Sequence, residues 1–138
     1  MGRRTRAKAS EHNQLGVTFF QSRSLDLAIE QFIQATKRAP WVATYWLNLG
    51  VALLDRGKVD EAKTALDKSL KLNPQSQSAY FHLGQIHTKR GDDASSREAY
   101  LKVIDLNSST DLARRARELT EGRCPHLIVQ TEASTKGT

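Results

Sequence analysis

The stretch Ala43–Pro74, ATYWLNLGVALLDRGKVDEAKTALDKSLKLNP, decides how this chain is read, because its pattern occurs three times. Gly16, Gly50 and Gly84 stand 34 residues apart, and each follows a leucine: Leu15, Leu49 and Leu83. Four residues before each glycine is a large ring (His12, Trp46, Tyr80). Twelve residues after it is a small residue (Ala28, Ala62, Ser96), and four further on a bulky one (Phe32, Leu66, Tyr100). Self-similarity at such a period marks a stack of small units, each unable to bury its apolar face alone. In the first unit His12, Leu15, Gly16 and Phe19 fall at i, i+3, i+4 and i+7, one stripe of a helix predicted from about Ala9 to Ser22. A second helix is predicted from about Leu25 to Arg38, with Ala28, Ile29, Phe32 and Ala35 facing back and Pro40 ending the unit.

A glycine inside a helix costs about 1 kcal/mol relative to alanine, so three at equal spacing need a structural return. Close approach of the two helices of a unit supplies one, with Ala28, Ala62 and Ser96 small for the same purpose. Gly57 and Gly91 sit where the first helix of the second and third units must end, and a left-handed residue there closes it. The first unit has Arg23 at that place, which predicts a less well capped turn.

The third unit departs from the pattern: His87 stands where Phe19 and Leu53 stand, and Ser108 replaces Pro40 and Pro74. After it, residues 109–121 include DLARRARELTE, with Leu112, Ala113, Ala116 and Leu119 on one side and charges elsewhere, as a terminal capping helix requires. Gly122 is expected to stop that helix. The remainder, 123–138, contains Leu127-Ile128-Val129 between Pro125 and a polar end, and reads as a flexible tail or as a tether that docks on the stack. Residues 1–8, with Arg3, Arg4, Arg6 and Lys8, are expected to form a flexible basic arm.

The period and the signature, W-x2-L-G-x2-Y followed by A-x3-F and P, resemble the tetratricopeptide repeat over Ala9 to about Ser108. The resemblance implies an all-α, right-handed superhelical stack of antiparallel helix pairs, about seven helices in all. Its repeats fall at about 9–42, 43–76 and 77–108, and the domain covers 9–122. It implies a protein-binding adaptor or scaffold, with a peptide or protein segment held in the concave groove lined by the first helices of the units. In this sequence the groove positions that could bury partner side chains are Val17, Phe20, Leu47, Val51, Leu54 and Phe81. Asn48, His82 and Gln85 supply hydrogen bonds, and Arg114 and Arg117 of the capping helix supply charge. The second apolar stripe Leu47, Val51 and Leu54 serves either a binding groove or packing between adjacent first helices. Relatives that clamp the C-terminal carboxylate of chaperone tails place Lys, Asn or basic residues where this chain has Asn13, Val17, Asn48, Ser78 and His82. Only Asn48 matches, which disfavours such a tail as partner.

Composition narrows the alternatives. The 138 residues are 38% apolar and 26% charged, ordinary for one soluble domain. A net charge of +6 favours acidic partners without singling out nucleic acid, which is disfavoured as a partner but would bind with steep salt dependence through the basic arm and the capping helix. Cys124, the single cysteine, cannot form an internal disulfide, and neither a signal-peptide h-region nor a membrane span is present, so a cytoplasmic protein is expected. The four histidines lie in different units, and His82 and His87 diverge by about 140° around one helix, so no metal site is expected. No phosphate loop or nucleophile elbow occurs, and a Cys124–His126 couple would need a rigid pocket, so neither cofactor nor enzymatic activity is expected. The rival to an adaptor is a self-associating building block that covers its own groove residues with a second copy.

Overall fold

The computed structural model describes residues 2–123, and the side chains of residues 8–121. Among them the chain forms seven helices and no strand: α1 (Gly2–Gln21), α2 (Leu25–Arg38), α3 (Ala43–Arg56), α4 (Val59–Leu72), α5 (Gln77–Lys89), α6 (Asp93–Leu106) and α7 (Asp111–Arg123). Helices α1 and α2, α3 and α4, and α5 and α6 form three antiparallel pairs. Along one side of the stack α1 touches α3, α3 touches α5 and α5 touches α7, so α7 takes the place that the first helix of a fourth pair would take. This row is the concave wall.

The mid-helix glycines are required by distance. A Cβ built on Gly16 would lie 2.6 Å from Phe32 Cε1, on Gly50 2.8 Å from Leu66 Cδ2, and on Gly84 2.5 Å from Tyr100 Cε1. In each pair the bulky residue of the second helix therefore lies across the glycine of the first, with Phe32, Leu66 and Tyr100 all buried. Ser96 serves in the place of Ala28 and Ala62 because its hydroxyl is satisfied, donating to Gly84 O at 3.0 Å and paired with Thr88 Oγ1 at 2.8 Å. The main core runs through the first two pairs into the third, and a second cluster of Phe81, Tyr100, Val103 and Ala116 joins the third pair to α7.

The three turns that end α1, α3 and α5 make the same two bonds. Arg23 N donates to Phe20 O and Ser24 N to Phe19 O; Gly57 N and Lys58 N, and Gly91 N and Asp92 N, donate correspondingly. Gly57 has φ 90°, Gly91 φ 76° and Arg23 φ 64°. The first turn is thus capped like the others, and its defect is a side chain held in the left-handed region, which costs about 1–2 kcal/mol for a residue with a Cβ.

Three boundaries differ from expectation. Helix α1 begins at Gly2, so residues read as a flexible arm form its first turns; Arg, Ala and Lys are good helix formers and no proline intervenes. Helix α7 runs through Gly122 to Arg123, since glycine permits a left-handed stop without imposing one. Leu15, placed on the core stripe, is 44% exposed, whereas Leu49 and Leu83 are 6% and 7% exposed. Among the described residues the latter two have a preceding pair to cover them and Leu15 has none. The expected tail, with Leu127–Val129, lies outside the described residues.

Exposed ion pairs join successive repeats at the same 34-residue period: Arg56 Nε to Asp26 Oδ1 at 2.8 Å, and Arg90 to Asp60.

Candidate functional site

The concave wall holds two adjoining cavities. The first, of about 370 Å3, is lined by Val17, Phe20 and Gln21 of α1, Leu47, Asn48 and Val51 of α3, and Ser78 and His82 of α5, with Phe32 behind. Val17, Phe20, Leu47 and Val51 are each half-buried, although they lie on helix faces turned away from the paired helix. The second cavity, of about 530 Å3, is lined by Arg23, Leu54, Asp55, Gln85, Thr88, Lys89, Tyr100 and Leu119. A hydrogen bond joins the two rims: His82 Nδ1 donates to Gln85 Oε1 at 2.8 Å.

Polar groups in the groove are held by one another. Asn48 Nδ2 donates to Asn13 Oδ1 at 2.8 Å, tying α3 to α1 across the first cavity. Burial holds His82 below its ordinary pKa of 6.5, and Arg115 nearby pushes the same way, against the bond to Gln85 and the charge of Asp55. Its imidazole is therefore neutral at pH 7, leaving Nε2 as an acceptor.

The predicted site residues divide. Val17, Phe20, Leu47, Asn48, Val51 and His82 converge on the first cavity, and Leu54 and Gln85 line the second. Two apolar residues are used mainly in packing. Leu54 is 5% exposed within the main core, and Phe81 is 1% exposed, packed in the cluster with Tyr100 and Ala116, so α7 has taken the surface it was expected to offer. The two predicted arginines are also placed differently. Arg114 pairs with Asp111 and Glu118 of its own helix, and Arg117 Nη1 donates to Ser108 O.

The arginine of α7 set beside a groove residue is Arg115, whose guanidinium lies 4.7 Å from the centre of the Phe81 ring and whose charge acts on His82. Sequence reasoning passed over it, yet Leu112, Arg115 and Leu119 fall at i, i+3 and i+7, and Leu119 lines the second cavity. Among the described residues no cluster of three or more His, Cys, Asp or Glu could hold a metal ion, and no helix is long and apolar enough to cross a membrane.

Comparison with known proteins agrees with this architecture. The tetratricopeptide repeat family model matches residues 13–62 and 47–109. Small glutamine-rich tetratricopeptide repeat-containing protein 2 of Saccharomyces cerevisiae is 27% identical over 116 residues, 83% of this chain and 34% of the yeast protein. The chain thus spans about a third of that relative's length. The solved Arabidopsis OM64 TPR domain superposes with a TM-score of 0.81 at 15% identity, covering 86% of this chain and 98% of that one. The first TPR of Spaghetti (RPAP3), solved bound to the HSP90 peptide SRMEEVD, gives 0.78 at 18% identity, covering 86% and 95%. With three glycine-pinned helix pairs, a seventh helix closing the stack and a family model matched across all three repeats, the chain belongs to the tetratricopeptide repeat family.

Proposed function

We propose that this chain is a non-enzymatic adaptor that holds a protein or peptide segment in its concave groove, with an apolar side chain of the partner in the first cavity. The observation that carries this is the half-buried apolar floor of Val17, Phe20, Leu47 and Val51, left open beside hydrogen-bonding groups at its rim. A concave, mostly apolar site with a few placed polar groups is what small binding sites share. The RPAP3 domain, of like fold, was solved with a peptide bound, which supports a segment as ligand. An HSP90-type tail is not the partner favoured here, because Asn13, Val17, Ser78 and His82 offer no cation at pH 7 and Asn48 is engaged by Asn13.

Val51→Glu tests the reading. Val51 lies one residue past Gly50 and so points about 100° away from the α4 contact. A glutamate there places an unpaired charge in the contact with partner, and binding falls by orders of magnitude while the melting temperature stays near that of the parent. Partners captured by the parent and lost by this variant are groove ligands. A sharp fall in melting temperature would instead make Val51 a helix-packing residue.

A second reading, self-association, is favoured by one observation: Leu15 and Leu27 are 44% and 47% exposed on the first pair. Light scattering across a concentration series separates the two, since a constant monomer mass removes self-association.

A further inference from the structure

The groove reading leaves open what accompanies the apolar anchor, and α7 carries an observation that bears on it. Three arginines stand close together on this helix, and two are committed: Arg114 to Asp111 and Glu118, Arg117 to the Ser108 carbonyl. Arg115 is exposed, and among the described residues no carboxylate lies within salt-bridge distance of it. Its guanidinium rests on the face of Phe81, a contact that fixes its position without neutralising it. The same ring meets His82 perpendicularly, at 5.8 Å between centroids. His82 in turn lines the apolar cavity. Together the two contacts keep the guanidinium within about 11 Å of the His82 ring, roughly the span of three residues of extended chain.

On these grounds we propose that Arg115 is a specificity residue of the groove, and that the partner segment carries an Asp or Glu side chain two to four residues from the apolar anchor that fills the first cavity. The proposal rests on the groove reading above and adds the sign of the partner's charge. A guanidinium held in place on an aromatic face is a ready donor to a carboxylate, because less of its rotamer freedom remains to be lost on binding. His82 beside it is neutral, and Asp55, whose charge acts on His82, is paired with Arg23 at 3.4 Å. An acidic residue opposite Arg115 also accords with the chain's net charge of +6.

Random peptides displayed on phage, fused through their C termini so that no free terminal carboxylate is present, test this against the full chain. Binders also retained by Val51→Glu are subtracted. The remaining peptides are expected to share an apolar residue with Asp or Glu at the stated offset. Arg115→Gln is expected to keep the apolar preference, lose the acidic one and weaken binding of the selected peptides about tenfold. Arg115→Glu is expected to exchange the acidic preference for Lys or Arg. An apolar consensus without enriched acid, or an acidic preference unchanged in both variants, overturns the role of Arg115 and leaves the groove reading standing. If no peptide survives the subtraction, the groove reading falls, and this inference with it.

Discussion

The two ends of the stack are built from the same unit and finished differently. At the C-terminal end α7 lies on the third pair and buries Ala113 and Ala116 completely, with Tyr100 and Val103 beneath. At the N-terminal end no further helix among the described residues lies on the first pair, and Leu15 shows 44% of its surface where its repeat-mates show 6% and 7%. The sequence pattern at the two places is the same. What differs is whether a neighbour exists, so a leucine in the signature names a position to be covered without naming the cover.

The largest expected effect breaks the finished end. Ala116→Asp puts an unpaired charge into the sealed contact between α6 and α7 and should cost about 3–5 kcal/mol. Leu15→Asp, the corresponding insult at the open end, should stay within about 0.5 kcal/mol. Urea midpoints of the two variants measure the contrast, and equal losses would mean that the open end is covered in solution.

A smaller effect sharpens the comparison at the turns. Arg23→Gly relieves the left-handed strain in the first pair and should gain about 1 kcal/mol, while Gly57→Ala, with φ 90°, should lose a similar amount in the second. The Arg23–Asp55 pair lost in the first variant is exposed and offsets little. Thermal melts of both decide whether strain at Arg23 weakens the first unit.

The smallest effect is one of pH. The folded pKa of His82 is depressed, so below about pH 6.5 the unfolded chain takes up protons before the folded one does. Stability from this group is full above pH 6.5 and declines as pH falls through the folded pKa. His82→Gln should remove that part of the acid dependence, seen as a flatter plot of melting temperature against pH between neutrality and mild acid.

How much of this could be read in advance follows from where the repeat signature applies. Gly16, Gly50 and Gly84 gave the period, and the helix pairs follow because each glycine must meet Phe32, Leu66 or Tyr100. The floor of the first cavity was legible because Val17, Leu47, Val51 and His82 hold fixed positions in that period. Helix α7 lies outside the period, so the period says nothing of which of its arginines faces the other helices. Its rotation about its own axis is set by Ala113 and Ala116 reaching the core, which turns Arg115 toward Phe81 and leaves Arg114 and Arg117 on the other side. The burial of Phe81 has the same cause: its position faces the groove in an interior unit, and is covered when the next helix is a cap. Leu54 lies in the last turn of α3, where it borders the second cavity while packing into the main core.

The ion pairs between repeats carry a further consequence, one for how the chain could be lengthened. Repeat two holds both halves of the joint, Arg56 reaching back to Asp26 and Asp60 receiving Arg90 from the following unit. Repeat one has Ser22 where the arginine would be, and repeat three has Ala94 where the aspartate would be. A tandem duplication of the middle unit would therefore rebuild a matched joint at every new junction, while copies of either outer unit would not. Exposed pairs of this kind add little free energy, but they act as a connector gauge that favours one order of parts, and they make the middle repeat the one component of this chain suited to insertion in any number.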